Sequence, residues 1–360
     1  MVKILANAPE QENVDWQFPL SVNVLVFVVA AMAVWVAGTQ LAIVAEAISD
    51  RRHLGKAIMG LVFLAAATEL PEIVTTLFAA ATEQATLLLN NMFGGIALQT
   101  AILAIADVSA VRVAITRFPR KPIPILEGCL LTLTLALLHG VIMVGDRAVL
   151  GHVGAGSIAL AVLYVLVIQM LRRQDRNSVW VPVELPELTA NGSKEGLIAA
   201  LSSDSNYRLY LKFGLSAAAI LVFGILLVVS AERIAVQSGL GTSFIGATLL
   251  AGSTSLPELS TTIMAVRLHS YTMAISNIFG SNLIMVLLIL PADIVYANGP
   301  LLLQVDASAS FSLVCGIIVT TIYVIGLVVR DHRRIFGMGF DSFAVAGFYL
   351  CSLVVLYTLR

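Results

Sequence analysis

Apolar runs of about 20 residues or more follow one another along almost the whole chain, and a run of that length spans a hydrocarbon core as a helix. No water is available there to satisfy the backbone, so only helices and closed barrels can cross. Read between charges and turn residues, the runs predict ten spans at 20–46, 57–81, 85–107, 123–144, 149–171, 209–231, 243–267, 271–296, 309–330 and 341–359. Composition excludes the soluble alternative. With 59% apolar and 12% charged residues, a 360-residue chain has too little charge to cover a water-facing surface. The expected class is an all-α integral membrane protein of ten transmembrane helices.

Basic residues orient the spans. With the N-terminus outside, the inner loops carry Arg51, Arg52, Lys56, Arg112, Arg117, Arg120, Lys121, Arg172, Arg173, Arg176, Lys194, Arg208, Lys212, Arg267, Arg330, Arg333 and Arg334. That is 17 of the 21 Lys and Arg, and only Lys3, Arg147, Arg233 and Arg360 fall outside. Both termini are expected to be extracytoplasmic, in the inner (plasma) membrane. The stretch from Met1 to Gln17 is acidic and lacks the basic segment and short apolar core of a cleavable signal, so the first span is expected to be retained. Cys129, Cys315 and Cys351 sit inside apolar runs and offer neither a disulfide framework nor a C-x-x-C metal site. The polar stretch from Arg172 to Tyr207, with Pro182, Pro186, Asn191, Gly192 and Ser193, reads as a cytoplasmic linker.

The chain repeats itself. Shifted by 186 residues without a gap, Gly38–Asp107 pairs with Gly224–Asp293, and about a third of the positions are identical. Matches of apolar residues alone would be compositional. Here they include Glu46 with Glu232, Leu54-Gly55 with Leu240-Gly241, Gly60 with Gly246 and Thr68 with Thr254. They also include Pro71-Glu72 with Pro257-Glu258, Asn91 with Asn277 and Gly94 with Gly280. Five spans per copy is an odd number, so the second copy enters from the opposite side, as in the inverted repeats of secondary transporters. The expected organisation is an extracytoplasmic segment 1–19, a five-helix repeat 20–171, a linker 172–208 and a second five-helix repeat 209–360.

Both copies place Pro-Glu in mid-span. A carboxylate at that depth costs a few kcal/mol or more and marks an ion path far more often than a structural site. The proline lacks an N–H and pushes away the carbonyl four residues earlier, which frees Ala67 and Ser253 to present oxygens. Thr68 and Thr254 lie one turn before Glu72 and Glu258 on the same helix faces, and Glu69 and Ser255 lie three before. Carboxylate, hydroxyl and carbonyl oxygens suit hard cations such as Ca2+, Na+ or Mn2+, and the lack of nearby Cys or His argues against zinc and copper. Glu46, Glu232, Asp107 and Asp293 fall near span ends and read as interfacial anchors. His53, His139, His152, His269 and His332 read as titrating residues at span ends.

Residues 60–72 read GLVFLAAATELPE and residues 246–258 read GATLLAGSTSLPE. These segments resemble the paired alpha-repeats of the cation/calcium antiporter superfamily, particularly the compact prokaryotic sodium/calcium exchangers. The G-T-S-x-P-E signature is nearly intact at residues 253–258, and a G-S-N signature stands at Gly280-Ser281-Asn282. The resemblance implies a site between spans 2, 3, 7 and 8, with Glu72 and Glu258 as main Ca2+ ligands and Thr68 and Thr254 adding carbonyls. It further implies carbonyls of Ala65 and Ala251 at flanking sodium sites, hydroxyls of Ser255 and Ser281, and spans 1 and 6 sliding across the core. Three positions depart from the pattern. The first-copy serine is Glu69, its partner in span 3 is Gly95, and the polar residue four positions further is Gln99 in span 3 but Met285 in span 8. Methionine is a poor ligand for a hard cation. Glu69 is expected to supply the charge that an aspartate in span 8 would bring.

The expected function is a secondary active antiporter exchanging Ca2+ for Na+ by alternating access, as a monomer, without cofactor or nucleic-acid partner. Exchange for H+, or of another divalent cation such as Mn2+ or Mg2+, is the alternative. A passive channel fits an inverted repeat poorly, and an intramembrane hydrolase using paired carboxylates would need neither the inverted Pro-Glu repeat nor the threonines.

Overall fold

The computed structural model describes residues 18–110, 113–176, 204–238 and 251–358. The acidic N-terminal segment, Arg112, the linker around Pro182, Pro186, Asn191, Gly192, Ser193 and Lys194, the Leu240-Gly241 and Gly246 half of the seventh span, and Arg360 lie outside them. In chain order come α1 (Leu20–Arg52), α2 (Lys56–Thr68), α3 (Leu70–Ala81), α4 (Ala85–Ala110), α5 (Ile123–Val144) and α6 (Ala155–Arg176). Then follow α7 (Asn206–Gln237), α8 (Leu256–Arg267), α9 (Tyr271–Val295), α10 (Ala307–Val329) and α11 (Phe340–Thr358). Among the described residues eight helices are long and apolar enough to cross a membrane, nine if α2 and α3 count as one span bent by 52°.

Two short antiparallel ribbons were not legible in the sequence. β1 (Ala148–Leu150) pairs with β2 (Val153–Gly154) before α6, and β3 (Arg334–Ile335) pairs with β4 (Met338–Gly339) before α11. Phe336 and Gly337, at the second turn, both have positive φ, the geometry a two-residue hairpin favours. The fifth span accordingly starts at Ala155 rather than 149. The first and sixth spans are longer than expected, at 33 and 32 residues.

Burial sorts the helices into an inner and an outer layer. In their most apolar windows, 72% of α9 and 67% of α4 are buried, against 22% of α1 and of α7. Among the described residues the outer pair, packed along each other, forms the most extensive helix contact. At 1.5 Å per residue each is roughly 50 Å long, more than a bilayer core needs. Glycines let the outer pair press on the breaks of the opposite repeat. A Cβ on Gly38 of α1 would strike Ser260 Oγ and come within 3.4 Å of the Pro257 carbonyl, and one on Gly224 of α7 would lie 2.6 Å from Pro71 Cγ. These two glycines are 186 residues apart, the repeat offset.

Several expected anchors are in fact buried fasteners. Asp107 ends α4 fully buried: its Oδ1 accepts the Ile115 N–H at 2.8 Å and its Oδ2 the Gly339 N–H at 2.7 Å. Asp293 repeats the arrangement near the end of α9, accepting Leu301 N–H at 2.7 Å and Gly154 N–H at 2.8 Å. Each aspartate therefore clamps the ribbon of the opposite repeat, and neither is interfacial. Glu46 is 1% exposed, accepts from Ser270 and pairs with Lys56 at 2.9 Å. Glu232 is exposed, as an anchor should be. His139 departs from the expectation for histidines: it lies half-buried inside α5 rather than at its end. His152 bonds the Ile294 carbonyl at 3.0 Å from the β1–β2 turn.

The basic residues assemble on one face. Arg51 donates to the Asp204 carbonyl, Arg52 to Tyr210, Lys121 to Asp175, and Arg330 to the Arg117 and Pro119 carbonyls. These bonds join the ends of α1, α5, α6, α7 and α10 that the charge pattern assigns to one side. The three cysteines are free.

Candidate functional site

The second span breaks where the sequence places Pro71. Pro71 sits in the first turn of α3, where a missing N–H costs nothing, and Glu69 at the junction has φ −77° and ψ −1°. The break in the other repeat is equivalent. Residues 251–254 are helical, Ser255 turns with φ −90° and ψ 5°, and Pro257 opens α8. On the far side of the first break α2 is π-helical over Met59–Leu64, a widening common beside functional sites. That segment lies against α9. A Cβ on Gly280 would strike the Leu61 carbonyl and stand 2.7 Å from Leu61 Cα.

Glu72 and Glu258 follow the two prolines on the first turns of α3 and α8, where the helix N-terminus favours negative charge. They are 2% and 0% exposed, and none of their four carboxylate oxygens has a hydrogen-bond partner among the described residues. Such groups normally make every available bond, because an unpaired buried charge costs several kcal/mol. The two carboxylates are electrostatic neighbours, and Glu69 lies within reach of both. Glu69 is fully buried. Gln99 Nε2 of α4 donates to its Oε1 at 2.6 Å, its Oε2 has no partner of hydrogen-bond geometry among the described residues, and the Ser281 hydroxyl of α9 lies beside it. Thr68 stands beside the Glu258 carboxylate of the other repeat.

The structure thus brings Glu72, Glu258, Glu69, Gln99, Ser281 and Thr68 together from α2, α3, α4, α8 and α9. The hydroxyls of Thr68 and Thr254 are turned back on their own helices, bonding the carbonyls of Ala65 and Ala251 at 3.1 Å each. Those two carbonyls also accept the N–H groups of Glu69 (2.9 Å) and Ser255 (3.2 Å). Ala65 and Ala251 are therefore doubly engaged, and either could ligate an ion only after its threonine hydroxyl turned away. Ser255 is buried at the second break. Gly95 and Met285 are two halves of one exchange: a Cβ on Gly95 would lie 3.0 Å from Met285 Cε, so the methionine fills the space the glycine leaves.

Around the carboxylates runs a polar lattice. Asn277 donates to Thr261 at 3.2 Å and Asn282 to Thr100 at 3.0 Å, tying α9 to α8 and to α4. Reading the sequence did not find Glu127. It is fully buried in α5 and accepts from Ser276 of α9 at 2.6 Å. Its only signal was an acid four residues inside a span.

A broken-helix pair bearing buried carboxylates, framed by inner helices and flanked by two long outer ones, defines the class of polytopic membrane transporters for small cations. The sodium/calcium exchanger protein family model matches residues 22–170 and 209–358, and the chain belongs to that family of transporters, which are not enzymes. Among solved structures the chain is similar to the sodium-calcium exchanger NCX_Mj. With NCX_Mj soaked in 10 mM Na+ and zero Ca2+ the TM-score is 0.68 at 17% identity, over 95% of this chain and 100% of that one. With the 10 mM Na+ and 10 mM Sr2+ soak it is 0.68 at 15% identity, over 93% and 99%. With the soak lacking both Na+ and Ca2+ it is 0.64 at 17% identity, over 92% and 98%. At these identities the likeness shows a shared fold. No curated protein sequence matches significantly.

Proposed function

We propose that this chain exchanges Ca2+ for Na+ across a membrane by alternating access, with Glu72 and Glu258 as the principal Ca2+ ligands. The observation that carries this reading is the pair of buried carboxylates whose four oxygens find no hydrogen-bond partner among the described residues. Negative groups left open in a dry interior are stable when a cation neutralises them, and hard oxygen ligands select Ca2+ or Na+. Glu69 is the third carboxylate, and Gln99, Ser281, Ser255 and the backbone at Thr68 and Thr254 complete the oxygen set. Ala65 and Ala251 join at flanking sodium sites when Thr68 and Thr254 rotate. The family and the NCX_Mj-like fold support a cation antiporter; Na+ as counter-ion, Ca2+ as cargo and the ligand roles are our reading.

The spans form two inverted five-helix repeats, 20–171 and 209–360, joined by the cytoplasmic linker 172–208, with the segment 1–19 and both termini outside. In this arrangement α1 and α7 slide over the core. The protein acts as a monomer in the plasma membrane, and its ions are substrates rather than cofactors. A second reading, exchange for H+, draws on Glu69: with Met285 and Gly95 offering no oxygen, the third carboxylate is free to carry a proton instead of helping to hold Na+. Reconstituted vesicles decide. Ca2+ uptake driven by an outward Na+ gradient, and lost in Glu72→Gln and Glu258→Gln, is the expected result. Uptake driven only by a pH gradient supports the second reading, and Ca2+-independent exchange refutes both.

A further inference from the structure

On the basic face lies a cavity of about 500 Å3, lined among others by Glu46, Lys56, Ile123, Asp175, Ser270 and Thr272. Ile123 is four residues before Glu127 on α5, and Thr272 is four before Ser276 on α9. Residues four apart share a helix face. Glu127 and Ser276 therefore stand one turn below the cavity, on the faces of α5 and α9 that line it. Both are fully buried. Ser276 Oγ donates to Glu127 Oε2, while Glu127 Oε1 has no partner among the described residues. We propose that Glu127, supported by Ser276, is a proton-binding site loaded from the basic-face cavity, separate from the central carboxylates.

The donor set selects the proton. One carboxylate and one hydroxyl supply three oxygens, half or fewer of those a Ca2+ ion takes. A proton needs one. On loading, a hydronium ion entering through the cavity gives H+ to Oε1 and leaves as water, and the Ser276 hydroxyl goes on donating to Oε2 as the carboxylate becomes a neutral acid. Among the described residues, the charged group whose field reaches Glu127 is Asp175 on α6, which pairs with Lys121 at 3.3 Å. From α9 it meets the Ser276 hydroxyl; Tyr271 there stacks on Phe118. On α10 the titratable groups are Cys315 and Tyr323, and the charges near Tyr323 are Asp341 and Asp107. Cys129 and His139 share α5 with Glu127. Glu46 and Lys56 form the paired wall of the cavity. Charging Glu127 places one more negative charge below that cavity, which draws cations in.

Two measurements test the site, and the first does not depend on what the protein transports. Infrared difference spectra of the reconstituted protein, taken between about pH 5 and 9, should show a buried carboxyl stretch that vanishes in Glu127→Gln. Ser276→Ala removes the hydroxyl that donates to Oε2, so the frequency of the Glu127 band should shift. The second measurement is exchange rate against pH on the basic-face side. It should rise severalfold in the wild type and stay flat in Glu127→Gln, with pH on the opposite side acting equally on both. A Glu127 band missing across the range, a band frequency unmoved in Ser276→Ala, or a band abolished by Na+ at constant pH each overturns the proposal. A normal infrared result without Ca2+ flux would overturn the exchanger reading and leave the proton site standing.

Discussion

Gly224 of α7 rests directly on Pro71 at the break of the second span, so close that a Cβ there would lie 2.6 Å from Pro71 Cγ. Gly38 of α1 stands in the matching place against α8, facing Ser260 and the Pro257 carbonyl. The ring of Pro71 is held at the first turn of α3 and cannot swing aside. Gly224→Ala therefore has to push the outer helix off the break, an overpacking cost of about 1–3 kcal/mol. Because that contact is between the outer pair and the core, the expected effect is on turnover: several-fold slower exchange at unchanged apparent Ca2+ affinity. Flux measured against Ca2+ concentration separates the two, and a pure affinity loss would show that the contact is not part of the moving interface.

Asp107 and Asp293 each accept two backbone N–H groups, one of them from the ribbon of the other repeat. Bonds to a charged acceptor contribute about 1.5–3 kcal/mol each. Asparagine keeps the shape but turns one acceptor into a donor facing an N–H. Asp107→Asn and Asp293→Asn should each lower the melting temperature in detergent by several degrees, leaving the apparent affinity for the transported cation intact. The two sites share no partner, so the double variant should lose the sum. Equal melting temperatures for wild type and variants would show that the clamps are dispensable.

Glu69→Gln retains an oxygen to accept the Gln99 bond but removes one of the three carboxyl groups of the cluster. If Glu69 faces the ion, apparent Ca2+ affinity should fall at least about tenfold, equivalent to roughly 1.4 kcal/mol. Titration of Ca2+-dependent flux measures this, and an unchanged half-saturation point would remove Glu69 from the site. Met285→Asn with Gly95→Ser restores oxygens in the space the methionine methyl now fills. That pair of changes should recover part of the affinity lost in Glu69→Gln.

The central carboxylates were legible because Pro and Glu are costly inside an apolar run, so a second copy at a fixed offset could not pass as composition. The fasteners were misread for a physical reason. A carboxylate near a span end has the same sequence signature whether it meets water or caps backbone N–H groups from elsewhere. The partners of Asp107 and Asp293 in the opposite repeat lie 232 and 139 residues away. The ribbons that supply those N–H groups have strands of two or three residues, too short to show an alternating pattern. Glu127 was passed over because its meaning depends on Ser276, a residue on another helix. The compensation between Gly95 and Met285 was visible only as two separate departures.

Lys56 and Glu46 illustrate how much a single charge can hold at the basic face. The pair spans the α1–α2 turn at 2.9 Å, with Glu46 1% exposed and Lys56 28% exposed, and Ser270 before α9 donates to the same carboxylate. Removing one partner of a buried pair strands the other, at a cost of about 3–5 kcal/mol when both are dry. The partial exposure of Lys56 should reduce this to about 2 kcal/mol. Lys56→Met is therefore expected to be distinctly less stable than Glu46→Gln, which removes the charge that needs a partner and leaves an oxygen for Ser270. The combination Lys56→Met with Glu46→Gln should regain most of the loss, because no charge is then left buried. Thermal unfolding of the four proteins in one detergent closes the cycle. Additive losses in the double variant would mean that the two groups act independently and that the short distance between them contributes no net stability.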